Sequence, residues 1–194
     1  MLSDWSRDGR FLIYTVVDSK TRADVWYVPV ESGKLSRNAV RLVGTDAIES
    51  LGQLSPDGKW LAYYSDETGR GQIYVRSFPG GSRVWAVSID GGREPRWRSD
   101  GKELFFAQGT TQTSWTLMAA AVESDGAGGL RIGTPQKLFG AVVGGVIPQA
   151  NAFAYSPHPD GKRFLVNARQ DRGEPTVNVI TNWHKVIGEE AGTR

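Results

Sequence analysis

Apolar stretches along this chain are short, and the same polar break punctuates them four times. It reads WSRDGRFLIYT from Trp5, LSPDGKWLAYYS from Leu54, WRSDGKELFFAQ from Trp97 and YSPHPDGKRFLVNA from Tyr155. The aspartates of the four Asp-Gly pairs are Asp8, Asp57, Asp100 and Asp160, at spacings of 49, 43 and 60 residues. Repeats of about 40 to 50 residues are the size of propeller blades built from four strands each. Two glycine-rich inserts, SDGAGGLRIGTP and GAVVGGVIPQAN, stretch the last spacing.

Each unit keeps one internal order. A short strand leads into Asp-Gly, which predicts a two-residue hairpin turn needing positive φ. A second strand follows, RFLIYTVV, KWLAYYS, KELFFAQ or KRFLVNA, apolar on both faces as a strand packed between neighbouring sheets must be. Third strands are DVWYVPV, QIYVRSF, WTLMAAAV and VNVITNW; weaker, more polar fourth strands are AVRLV, RVWAVS and PQKLF. The pattern predicts an all-β propeller of four four-stranded units, about fifteen strands in all, with the last unit incomplete. The units fall at roughly 1–48, 49–92, 93–148 and 149–183, before a tail at 184–194. In the fourth unit SPHPDG reads as a His-Pro insertion, which puts that turn's geometry apart from the others.

Composition sharpens this picture in few places. Seven Trp, six Tyr and seven Phe among 24 Gly suit aromatic strands broken by tight turns. Lys and Arg number 23 against 21 Asp and Glu, too even a balance for a nucleic-acid partner. The richest basic cluster, Arg93, Arg96, Arg98 and Lys102, is interrupted by acidic residues and reads as a solvated rim. There is no cysteine, hence no disulfide, thiolate metal site or cysteine nucleophile. No apolar run approaches the roughly 18 residues of a membrane span, so no membrane insertion is expected. The N-terminus shows no basic-then-apolar signal pattern.

The repeats LSPDGKWLAYYS and GGREPRWRSDGKELFF resemble the WD-repeat-like propellers of the TolB family. The runs SDETGRGQIYVRSFPGG, WAVSIDGGREPRWRSDGKELFF, GTPQKLF, and DGKRFLVNA followed by VNVITNW are also similar to the C-terminal propeller regions of acidobacterial serine/threonine protein kinases. The resemblance implies the fold and a periplasmic or other extracytoplasmic setting. It carries little about activity, because such propellers serve many functions. Kinase activity is not implied: there is no glycine-rich loop before a lysine-bearing strand and no His-Arg-Asp loop. The expectation is a non-enzymatic binding, sensing or assembly module, either on its own or as a truncated C-terminal part of a larger kinase-type protein.

Four units can close in different ways. A single four-bladed ring is allowed. An open half-ring would leave two Trp- and Tyr-rich faces in water. A homodimer about a twofold axis would complete an eight-bladed ring and hide both faces; it is favoured, because the resembling propellers usually have six to eight blades. The partner expected is therefore a protein, or a second copy acting through the exposed blade faces.

Few residues of the sequence offer candidate chemistry. Asp8, Asp57, Asp100 and Asp160, with Gly9, Gly58, Gly101 and Gly161, recur at one place in each unit and read as turns rather than catalytic acids. Lead-ins to the innermost strands contain Glu49, Gln53, Glu94 and Asn151, the candidates for a ligand site at the channel mouth. The alternative function is a metal-assisted hydrolase, esterase- or lactonase-like, at that channel. It would need a channel-bound divalent cation; otherwise no cofactor is expected. Ser156, His158 and Asp160 are its further candidates, although alternating residues on an extended chain do not converge as a triad must. His184, the other histidine, lies in the terminal tail.

Overall fold

A computed structural model describes residues 1–109, 114–142, 153–168 and 176–181. All their regular structure is β-strand, gathered in four separate antiparallel sheets that follow one another along the chain. The first sheet runs β1 (Leu2–Trp5), β2 (Phe11–Asp18) and β3 (Arg22–Glu31), whose C-terminal end pairs with β4 (Lys34–Leu35) and whose middle pairs with β5 (Val40–Val43). The second is the meander β6 (Glu49–Leu54), β7 (Trp60–Ser65), β8 (Gln72–Ser77) and β9 (Val84–Ala86). The third is β10 (Arg93–Trp97), β11 (Glu103–Gln108) and β12 (Ser114–Ser124), with β13 (Leu130–Ile132) and β14 (Gln136–Val142) both on β12. The fourth holds β15 (Tyr155–Pro157), β16 (Arg163–Ala168) and β17 (Thr176–Thr181).

Three apolar clusters join consecutive sheets. Ile13 and Val25 of the first sheet meet Leu54, Leu61 and Tyr63 of the second. Ala62, Ile73 and Val75 meet Leu104, Phe106 and Ala120 of the third. Phe105, Leu117 and Phe139 meet Tyr155, Phe164 and Val166 of the fourth. Successive residues of a strand point to opposite faces, so the second strand of each of the two middle sheets supplies two junctions: in β7, Leu61 and Tyr63 point back and Ala62 points forward.

Two expectations about the turns are corrected. The Asp-Gly pair does not form a two-residue turn. Ser6 N–H donates to Phe11 O at 2.9 Å and Gly9 N–H to Ser6 O at 2.9 Å, which leaves a four-residue loop between the strands. Gly9, Gly58, Gly101 and Gly161 lie at φ of 75, 69, 74 and 67°, while none of the four aspartates is at positive φ. The reason lies in the aspartate side chain, whose Oδ1 accepts the amide two residues on. The acceptances are Arg10 N–H on Asp8 (3.0 Å), Lys59 on Asp57 (3.2 Å), Lys102 on Asp100 (3.0 Å) and Lys162 on Asp160 (2.8 Å). This local bond holds the carboxylate inside the turn and leaves only glycine to take the left-handed position.

Nor does SPHPDG contain an insertion. His158 N–H donates to Arg163 O at 2.8 Å and Gly161 N–H to His158 O at 2.9 Å, the same frame as Ser6, Ser55 and Arg98. Counted from the aspartate, His158 stands where those three stand, and Ser156–Pro157 belongs to the preceding strand.

The Gly-rich insert DGAGGLRIG carries a tight turn and a strand of its own. Asp125 accepts the amides of Ala127 (2.8 Å) and Gly129 (2.7 Å) through Oδ1, and the turn so formed returns β13 onto β12. Leu130 is thereby buried in the junction of the second and third sheets. Of the second insert, Gly140–Val142 extend β14, and 143–152 lie outside the described residues.

Candidate functional site

The first strands of the four sheets, β1, β6, β10 and β15, converge, and hydrogen bonds stitch them in sequence. Asp4 Oδ2 accepts Leu54 N–H at 2.7 Å, and the Gln53 side-chain amide donates to Ser3 O. Arg96 Nη1 donates to Gln53 Oε1 at 2.9 Å, and Trp97 Nε1 to Gln53 O at 3.1 Å. Glu94 Oε2 accepts Ala154 N–H at 2.7 Å, and Tyr155 Oη donates to Glu94 O at 2.7 Å. The turns add two ties, Arg7 Nη1 to Ser99 O at 2.9 Å and Ser99 Oγ to Pro159 O at 2.5 Å.

Of the channel-mouth candidates, Glu49, Gln53 and Glu94 lie within β6 and β10 rather than in the loops before them, and all three are buried. Their polar atoms already have protein partners. Glu49 accepts Thr45 N–H at 3.2 Å and Thr45 Oγ1–H at 2.5 Å. Glu94 pairs with Arg93 Nε at 3.0 Å through Oε1. Asn151 and His184 lie outside the described residues. Among the described residues no three of Asp, Glu and His gather into a group able to hold a metal ion. Glu49 and Glu94, the carboxylates that a channel cation would require, each accept a backbone amide.

Burial raises the pKa of the Glu94 carboxyl, against the opposing pull of the Ala154 amide and Arg93. Burial likewise raises Asp4, opposed by the Leu54 and Trp5 amides, Arg96 and Arg7. It lowers Arg96 and pushes Tyr155 well above its ordinary value.

Ser156, His158 and Asp160 are spread along the fourth hairpin. Ser156 pairs with Leu165 in the β15–β16 ladder. His158 Nδ1 lies 3.0 Å from Asp160 Oδ2, and Arg163 Nη2 lies 3.0 and 2.8 Å from the two ring nitrogens. No hydrogen bond joins Ser156 to His158 among the described residues. In the other turns the residue in the position of His158 donates to the aspartate. Ser6 Oγ reaches Asp8 at 2.7 Å, Ser55 Oγ reaches Asp57 at 2.6 Å, and Arg98 Nε reaches Asp100 at 2.7 Å. His158 takes the fourth such place: its Nδ1 lies beside the aspartate and accepts the Asp160 N–H at 3.3 Å.

Sequence reasoning missed Asp4 and Arg96 as inward-facing residues. Four residues before each turn aspartate stand Asp4, Gln53, Arg96 and Ser156, one per first strand. All four line a depression of about 200 Å³ between the converging strands. Counting back from each Asp-Gly would have found them.

No family model matches the chain. The Tol-Pal system protein TolB of Francisella tularensis is 32% identical over 164 aligned positions, covering 59% of this chain and 36% of that protein. The crystal structure of TolB from Acinetobacter baumannii superposes with a TM-score of 0.65 at 17% identity, over 92% of this chain and 39% of that one. The fold is a TolB-like β-propeller. A Mycobacterium tuberculosis puromycin-hydrolyzing peptidase shares it, with a TM-score of 0.61 at 17% identity, over 91% of this chain and 28% of that one. One fold thus covers a Tol-Pal protein and an enzyme, and activity does not follow from it. The chain spans less than two fifths of the length of each of these relatives.

Proposed function

We propose that the chain is a non-enzymatic propeller module whose two open sheet faces serve assembly, completing an eight-bladed ring by homodimerisation. The observation that carries this reading is a repeat equivalence. Four and six residues after each turn aspartate stand Leu12 and Tyr14, Leu61 and Tyr63, Leu104 and Phe106, Phe164 and Val166. The last three pairs are buried against the preceding sheet. The first pair shares a face with Leu2, Trp5, Trp26 and Val28 by register, and Trp5 on that face is 58% exposed. Five residues after the aspartates stand Ile13, Ala62, Phe105 and Leu165. The first three are buried against the following sheet, whereas Leu165 is 45% exposed. The first sheet therefore offers one half of a junction and the fourth sheet offers the other half. Two copies related by a twofold axis would join each half to its complement, as closed symmetry favours.

The same reading sets the module outside the cytoplasm, as the likeness to TolB supports, and within the C-terminal propeller region of a larger kinase-type protein, as the repeat spelling supports. Its partners are proteins rather than nucleic acid. The hydrolase alternative would require a cation at Glu49 and Glu94, both of which hold backbone amides instead. A metal-content assay with ester and lactone substrates separates the two: metal-dependent turnover lost on Glu94→Ala would overturn the binding reading.

Sedimentation at low protein concentration tests the assembly. The expected particle has twice the 21.2 kDa chain mass, and Leu165→Arg, on the exposed half-face, converts it to single chains that keep the wild-type far-ultraviolet spectrum. A wild-type particle of one chain mass would overturn the dimer.

A further inference from the structure

The depression at the meeting of the first strands has a chemistry of its own. Arg96 lies with its guanidinium carbon 3.5 Å from the centroid of the Phe153 ring. At that distance the ring covers one face of the cation and leaves its edge to hydrogen-bond. Nη1 uses part of that edge on Gln53 Oε1. Nε is buried without a hydrogen-bond partner, and among the described residues Gln53 alone accepts from this side chain. A guanidinium is a planar fork of donors matched to the two oxygens of a carboxylate.

The surroundings narrow the ligand further. Arg7 and Arg96 face Asp4 across the depression, a balance of one positive charge that suits a monoanion and resists a dianion. Ser156 and Gln53 add neutral polar groups at the rim. The space of about 200 Å³ corresponds to roughly six or seven waters at about 30 Å³ each. It is smaller than the usual pocket of a drug-sized ligand, about 300 Å³ or more. That is room for a carboxylate with a short tail.

We propose that this depression is a carboxylate-binding site in which the edge of Arg96 grips the two oxygens and Arg7 adds charge, with Asp4 selecting against dianions. The carboxylate is either that of a small organic acid or the C-terminus of a peptide. The site deepens the binding reading and is independent of the open sheet faces; it is read by resonance shifts, whereas assembly is read by particle mass.

The experiment titrates the full chain with butyrate, acetyl-trialanine carrying a free carboxylate, the same peptide amidated, and inorganic phosphate. The Gln53 side-chain amide and the Trp97 indole N–H report by nuclear magnetic resonance. Saturable shifts with butyrate assign a small acid; shifts with the peptide acid alone assign a peptide terminus. In either case Arg96→Gln weakens binding by about tenfold or more, the scale of one charged hydrogen-bonded contact. Asp4→Asn strengthens it several-fold. Where Arg96→Gln does not fold, Arg7→Gln, which weakens, and Asp4→Asn carry the test in opposite directions. Absence of saturation by either carboxylate, equal binding of the amide or of phosphate, or unchanged affinity in the arginine variants overturns the proposal.

Discussion

Glu94 Oε2 accepts the backbone N–H of Ala154 at 2.7 Å across 60 residues of sequence. The bond fastens the lead-in of the fourth sheet to the first strand of the third, and it is buried. Glu94→Ala would leave the Ala154 amide without an acceptor, at a cost of about 1–3 kcal/mol. Glu94→Gln retains an acceptor. Burial raises the folded-state pKa of Glu94, so its contribution is complete below the unfolded pKa and is lost as pH rises through the folded one. Urea unfolding should therefore show Glu94→Gln gaining on the wild type as pH increases from about 4 to 7. An Ala variant with the wild-type midpoint would refute the role of the bond.

Asp8, Asp100 and Asp160 titrate in the opposite sense. The hydroxyl of Ser6 brings Asp8 down to about 2, the guanidinium of Arg98 brings Asp100 to about 2, and the Lys162 amide brings Asp160 to about 2. A depressed folded pKa gives stability that is present above the unfolded pKa and lost as pH falls through the folded one. Acid should weaken the fold between about pH 4 and pH 2. Carbon-13 carboxyl titration should place these three midpoints at about 2; midpoints near the usual aspartate value would refute the bonds assigned to these three carboxylates.

The order of strands could be read from the chain because Asp8, Asp57, Asp100 and Asp160 mark a local device, a side chain bonded to its own turn. Alternation then assigned Leu61 and Ala62 to opposite faces. The fourth turn was misplaced because Ser156–Pro157 imitates Ser55–Pro56 and drew the alignment away from Asp-Gly. Strand β13 was hidden because Leu130 and Ile132 stand among glycines, whose turn signal outweighs two apolar residues. The stitches of the first strands had no sequence signal. Gln53 meets Arg96, and Glu94 meets Ala154, only once the sheets have packed. A buried carboxylate on a remote amide looks in sequence like an exposed one.

Glycines 52 and 58 separate packing from backbone strain. A Cβ on Gly52 would stand 2.8 Å from Ile13 Cγ2 and 2.9 Å from Val25 Cγ1, within the junction of the first two sheets. Gly52→Ala should cost about 1–3 kcal/mol by overpacking. Gly58 has open space around it but lies at φ of 69°. Gly58→Ala should cost about 1–2 kcal/mol from backbone strain alone, and Gly58→Asn distinctly less, since asparagine tolerates the left-handed region. Thermal unfolding of the three variants checks the ranking; equal losses for Gly58→Ala and Gly58→Asn would contradict it.

His158 stands where Ser6 and Ser55 stand, its Nδ1 3.0 Å from the carboxylate of the aspartate two residues on. If its role is that of a turn donor, serine can replace it. His158→Ser would put a hydroxyl within reach of Asp160, as in the first two turns, while Arg163 keeps its own contact with Asp160 at 3.0 Å. The site is exposed, and the change should move stability by no more than about 0.5 kcal/mol. His158→Leu, which removes the donor, should instead raise the Asp160 titration midpoint above about 2, because one of the bonds holding it down is lost. Denaturant unfolding and carboxyl titration of both variants measure the two effects. A large loss of stability in His158→Ser, or an unmoved Asp160 in His158→Leu, would show that this histidine does something other than turn the chain.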